Sequence, residues 1–127
     1  MASFLLKICY VFLILNVLFQ GLCSAYHHCP LSKIKVTQKA TGKLISGKHV
    51  YYVDVINGCR PCAQGQIYLG CRGFETVLKP DPQYLEVDGK HDRCLLSYGK
   101  PVYDSVGFNY AWDTQYNFTV VHAESSC

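Results

Sequence analysis

No Gly-rich phosphate loop, nucleophile elbow, His-Glu metal-binding helix or paired carboxylates in a recognisable frame occur in these 127 residues. Nucleotide-dependent transfer, serine hydrolysis, metalloprotease chemistry and glycosidase chemistry are thereby left without an identifiable site. After residue 25 no window carries a 3.6-residue hydrophobic period, which argues against a helical domain. Charged residues are sparse, at 17% of the chain, and no acid precedes Asp54. No apolar run reaches the roughly 20 residues that a bilayer core requires.

The longest apolar run, Ile8 to Phe19, is interrupted only by Asn16. Lys7 precedes it, and Gly21, Cys23, Ser24 and Ala25 follow it with small residues. That order predicts a secretory signal peptide over residues 1–25, cleaved after Ala25. Residues 26–127 then form one small domain. Removing Lys7 from the twelve basic residues leaves eleven against nine acids, a formal charge of +2. Such a balance is too weak to point to nucleic acid.

Cysteine is the abundant feature. Of eight, Cys9 and Cys23 fall in the signal segment. Cys29, Cys59, Cys62, Cys71, Cys94 and Cys127 remain, an even number in a short exported chain, and they predict three disulfides. Six cysteines allow about 15 connectivities, and spacing does not choose among them. Two thiolate readings compete. Cys59-Arg60-Pro61-Cys62 has redox spacing, but Gly65 and a strand follow it instead of the helix that would lower a thiol pKa. Cys59, Cys62, Cys71 and Cys94 have the chemistry of a zinc site but lack a second Cys-x2-Cys pair. No cofactor is expected. A start at Tyr26-His27-His28 would offer amine, amide and imidazole nitrogens to Cu(II).

The rest reads as strands. Ile34 and Val36 alternate with Lys33, Lys35 and Thr37, Thr41-Gly42 reads as a turn, and Gly47 breaks the chain again. Tyr51, Val53 and Val55 share one face of His49 to Ile56, which Asn57-Gly58 ends. Gln66 to Cys71, Tyr84 to Val87 and Arg93 to Ser97 are further strands, and Phe74 to Leu78 reads as extended. Phe108, Tyr110 and Trp112 alternate on one late strand, and Tyr116, Phe118 and Val120 on the next. Asp113-Thr114-Gln115 would join those two as a hairpin. Seven or eight short strands with frequent turns predict an all-β fold, a small disulfide-stapled antiparallel β-sandwich or barrel.

Three surface features invite a function. Lys33, Lys35, Lys39 and Lys43 precede the first acid and would guide an acidic protein partner. Asn117-Phe118-Thr119 is an N-glycosylation acceptor, with Asn117 turned to water if Phe118 turns inward. Tyr110, Trp112 and Tyr116 would stack on a cell-wall polysaccharide if exposed, or pack in the core if not.

The motifs Ile34-x-Val36-x-Gln38-x-x-Thr41-Gly42 and Tyr52-Val53-Asp54-Val55-Ile56-Asn57-x-Cys59 follow Cys29 in order. Ile67-x-x-x-Cys71-x-x-Phe74, Pro80, Cys94-Leu95, Gly99-x-Pro101, Phe108-x-Tyr110-Ala111 and Cys127 come after them. Together they resemble the TAPETUM DETERMINANT-like family of small secreted cysteine-rich plant proteins. The resemblance covers nearly all of residues 26–127. It implies an extracellular, non-enzymatic signalling protein of the apoplast that binds the ectodomain of a leucine-rich-repeat receptor kinase in cell-fate or reproductive development. A monomer without a membrane span is expected after processing.

Overall fold

The structure, a computed structural model, describes residues 3, 6–15, 29–90 and 92–127. Residues 6–15 form a helix whose apolar side chains, Leu6 and Phe12 among them, stand exposed. No helix among the described residues is long and apolar enough to cross a membrane. The cleavage point after Ala25 and the Tyr26-His27-His28 start lie outside the described residues.

Seven strands follow: β1 (Ile34–Ile45), β2 (Lys48–Asn57), β3 (Ala63–Gly70), β4 (Leu85–Asp88), β5 (Arg93–Leu96), β6 (Ser105–Trp112) and β7 (Thr119–Ser126). Two short 3-10 turns, Leu31–Lys33 and Ser97–Gly99, interrupt the connections. One antiparallel sheet has the order β1-β2-β6 and the other β4-β5-β3-β7. The expected all-β, disulfide-stapled antiparallel architecture is therefore present as two sheets.

Alternation explains the core. Val53, Val55, Ile67, Leu69, Leu85 and Leu96 are almost fully buried, as are Phe108 and Tyr110. Each is an inward position of a period-two strand, so one face of every sheet is withdrawn from water. Burying a side chain of this size contributes about 1.5–3 kcal/mol.

Three expectations need correction. The chain does not turn at Thr41-Gly42. β1 runs on through a bulge between Ala40 and Leu44, with Gly42 at φ 82°. The turn is Ser46-Gly47, at φ 51° and 76°, and Ile45 pairs with Lys48 across it. Two positive φ values in a two-residue loop match the twist of the flanking strands. The last strand also begins only at Thr119, so Tyr116 and Phe118 lie in the connection before it.

The third correction concerns Asp113-Thr114-Gln115. β6 pairs with β2 and β7 with β3, so the two late strands lie in different sheets and form no hairpin. The connection from Asp113 to Phe118 crosses between sheets. Gln38 holds it, its amide nitrogen donating to the Tyr116 carbonyl at 2.5 Å. Tyr110 holds it too: its hydroxyl donates to Gln38 Oε1 at 2.6 Å and accepts from the Tyr116 N–H at 2.8 Å.

All six predicted cysteines are oxidised, as Cys29–Cys59, Cys62–Cys127 and Cys71–Cys94. With every sulfur in a bridge, neither thiolate reading survives in this state. Among the described residues Cys9 alone is unpaired, and no group of three His, Cys, Asp or Glu side chains converges for a metal ion.

Candidate partner-binding surface

β1 is the outer strand of its sheet, and its outward residues set the character of that face. Lys35, Thr37 and Lys39 alternate there and pair across with Ile56, Asp54 and Tyr52 of β2. The next column, on β6, is Ser105, Gly107 and Asn109. Gly107 has no side chain, and the Tyr52 ring lies over it. Lys39 Nζ lies 5.9 Å from the Tyr52 ring centre. A shallow hollow of about 300 Å³ between Thr37, Lys39, Tyr52 and Asp54 indents this face.

The structure brings Lys35 and Lys39 together on one strand face, with Lys33 in the turn just before it. Lys43 is exposed but sits in the bulge, outside the register that the other two share. No ion pair involves Lys33, Lys35, Lys39 or Lys43 among the described residues. Lys48 is different. It bonds both carboxylate oxygens of Asp113 at 2.8 Å and lies 5.3 Å from the Trp112 ring centre, so its charge is already used. A desolvated or paired lysine loses reach, whereas free surface lysines steer an acidic partner over a Debye length of about 8–10 Å.

The polysaccharide platform does not form. Tyr110 is 0% exposed, and Trp112 and Tyr116 are half-buried. Their neighbours meet them edge-on: Phe74 stands at 79° to Tyr110 and at 69° to Tyr116. A sugar ring needs an open aromatic face; Tyr110 and Tyr116 are packed against Phe74 and Phe118, and Trp112 lies beside the Lys48 ammonium. Burial pushes the Tyr110 phenol above its ordinary value, although its bond from the Tyr116 N–H acts the other way. Burial, and then the charge of Asp92, raises Tyr116.

Asn117 and Thr119 are exposed, with Phe118 buried between them. The sequon therefore presents its acceptor to solvent.

Asn57 escaped the reading of sequence, where it passed for a turn residue. It is 4% exposed, and its Nδ2 donates to the carbonyls of Cys62, Val102 and Tyr103 at 2.7, 3.2 and 2.9 Å. Its Oδ1 accepts the Cys59 N–H at 2.8 Å. One amide thus ties the end of β2 to the bridged loop and to the run into β6. The Asn-Gly pair is the visible signal, but two of the carbonyls it serves, those of Val102 and Tyr103, are distant in the chain.

Comparison with known proteins comes last. Residues 30–127 match the family described as Tapetum determinant 1, C-terminal. A protein of Oryza sativa subsp. japonica named TPD1 protein homolog 1A is 33% identical over 96 residues, covering 68% of this chain and 42% of that protein. TPD1 protein homolog 1B of the same plant is 24% identical over 99 residues, covering 78% and 58%. The chain spans about half the length of these curated relatives. No solved structure matches it.

Proposed function

The chain belongs to the Tapetum determinant 1 family, and from that premise we propose that it is a small secreted signalling protein, a ligand for the ectodomain of a plant leucine-rich-repeat receptor kinase. Residues 1–25 direct export, residues 26–127 act in the apoplast as a monomer glycosylated at Asn117, and the role lies in cell fate or reproductive development. Three bridges suit an oxidising extracellular route, and the exposed apolar helix at residues 6–15 suits a segment read by the export machinery. The reading involves no catalytic step.

The observation that carries it is the set of lysines without ion pairs, Lys33, Lys35, Lys39 and Lys43, on and beside an outer strand whose sheet buries Tyr51, Phe108 and Tyr110. A rigid charged face loses little order when it docks, and its charges act mainly on the rate of encounter. The test is retention of the oxidised, exported protein on a panel of receptor ectodomains and wall glycans. Selective capture by one ectodomain is expected. Lys35→Glu with Lys39→Glu should slow association about tenfold at low salt and less at high salt. Capture by a glycan, with no ectodomain retained, overturns the reading.

A further inference from the structure

The β1-β2-β6 sheet has two outer edges, and they are finished differently. β1 carries Lys35, Lys39 and Lys43 and a bulge, devices that discourage a further strand. β6 has none of them. Ser105–Trp112 holds no charge and no proline, and its register against β2 is unbroken over eight residue pairs.

The direction of its free groups follows from the ladder. The Asn57 N–H donates to the Asp104 carbonyl at 2.8 Å, so Asp104 faces β2. Ala111 faces the other way: its carbonyl accepts the Val77 N–H at 3.0 Å and its N–H donates to Thr76 Oγ1 at 2.9 Å. Alternation then turns the N–H and C=O of Ser105, Gly107 and Asn109 away from β2. Thr76 and Val77 cover the Ala111 end alone. From Ser105 to Asn109 the edge, about 14 Å of strand, has no backbone partner on that side among the described residues. Buried backbone groups are almost always paired, and an exposed row of them is a template for another strand.

A cleft of about 610 Å³ lies along this row, walled by Leu78, Pro80 and Tyr84. It continues past Ser105 into a second hollow beside Tyr98 and Tyr103. Tyr84, Tyr98 and Tyr103 are 44, 52 and 65% exposed, and tyrosine is enriched at protein contacts. The charges favour one kind of occupant. Among the described residues Lys79 and Lys100 form no ion pair. Asp104 is held by Arg60 at 3.1 Å, and Asp81, which accepts the Gln83 N–H at 3.0 Å, keeps its charge, so Lys79, Lys100 and Arg60 outnumber the two acids there by one.

We propose that β6 accepts an added strand: an extended acidic segment of a partner protein, alternating apolar and polar residues, pairs with Ser105, Gly107 and Asn109 in this cleft. Main-chain bonds supply the register, and the tyrosines and lysines supply the choice. A second copy of this chain fits less well. In a two-fold pair of β6 edges the wall at residues 78–84 would approach from both sides, whereas a bare segment meets it once. The receptor reading uses lysines at the opposite edge, and Tyr52 alone lines both the hollow there and this cleft.

The test pans a displayed library of random seven-residue peptides on the oxidised protein, then follows amide hydrogen exchange with an enriched peptide. Exchange at Ser105, Gly107 and Asn109 should slow about tenfold or more, with Val106 and Phe108 unchanged. Enriched sequences should carry acid, and Lys79→Glu with Lys100→Glu should weaken them about threefold or more. Asn109→Pro removes an outward donor without cutting the β2 ladder and should abolish binding, while Asn109→Ala keeps it. If Asn109→Pro does not fold, the exchange pattern of the unaltered protein decides alone. No enriched peptide, or protection elsewhere than β6, overturns the proposal. Protection of the same amides that rises with protein concentration, without peptide, also overturns it in favour of a second copy.

Discussion

The two sheets are held together by different means. The β1-β2-β6 sheet has strands of 12, 10 and 8 residues and no disulfide between them. In the other sheet β4 and β5 have four residues each, and β3 slips register twice against β7. Two of the three bridges serve this second sheet: Cys71–Cys94 joins the end of β3 to β5, and Cys62–Cys127 joins its start to the end of β7. Short ladders contribute few cooperative bonds and are marginal alone. Sulfur is therefore concentrated on the weaker ladder, and the third bridge, Cys29–Cys59, clips only the open end of β1 and β2 in the long sheet.

The largest expected effect comes from removing that difference altogether. Net stabilities are about 5–15 kcal/mol, and each bridge contributes roughly 2–4 kcal/mol. Full reduction should abolish the cooperative melt seen by circular dichroism. An unchanged melting curve in reductant would mean that the short sheet needs no sulfur, and the contrast would fail.

Phe118 tests what the sheets share. It is 4% exposed and touches Phe74, Phe108, Tyr110 and Tyr116 with ring centres 4.7 to 5.7 Å away. Phe118→Ala should lower stability by about 3–5 kcal/mol in a urea titration. Because the ring lies between the layers, exchange should accelerate in both. Replacing Cys71 and Cys94 by Ala should cost about 2–4 kcal/mol and act unevenly. Amides of β4 and β5 should open first, with those of β2 still protected. Equal loosening of both sheets would show that the bridge acts on the whole unfolded chain and not on its own sheet.

How much of this was visible in the residues depends on distance along the chain. Val53, Val55, Ile67 and Leu69 were legible because a strand with one buried face alternates locally. The six bridging cysteines were legible from number and compartment, but their pairing was not, since pairing follows the assembled sheets. The supposed hairpin at Asp113 failed for the same reason. Alternation shows that Tyr110 and Phe118 turn inward, not that the strand after Phe118 belongs to the other sheet. The lysine stripe is readable on β1, yet the bulge that sets Lys43 apart is not distinguishable from a turn in sequence, because Gly42 serves either. The open β6 edge was invisible, for an edge is defined by what does not lie beside it. Asn57 is the sharpest case, two of its three acceptor carbonyls, those of Val102 and Tyr103, being supplied by a remote segment. Asn57→Ala leaves those carbonyls short of a donor and should cost about 1–3 kcal/mol by urea titration, accelerating exchange around Cys59 and Val102. A stability equal to the parent would show that water replaces the amide.

Alkali offers the gentlest probe of the long sheet and its crossover. Tyr110 and Tyr116 both have phenols raised above 10.0 in the folded protein, chiefly by burial. Near neutrality both states keep these phenols protonated, and their contribution to stability is fully present. As pH climbs past 10.0 the unfolded chain gives up its phenolic protons first, while the folded chain still holds them. The unfolded state then binds fewer protons, so stability falls with rising pH, and the contribution is lost through the raised folded values. A urea midpoint at about pH 11 should lie below that at about pH 8, where ordinary tyrosines remain neutral. Tyr110→Phe should flatten the slope, though it also removes the hydroxyl bonded to Gln38. The cysteine pair variant should keep it, because neither phenol belongs to the bridged sheet. An equal slope in the parent and in Tyr110→Phe would place the alkaline sensitivity outside the long sheet.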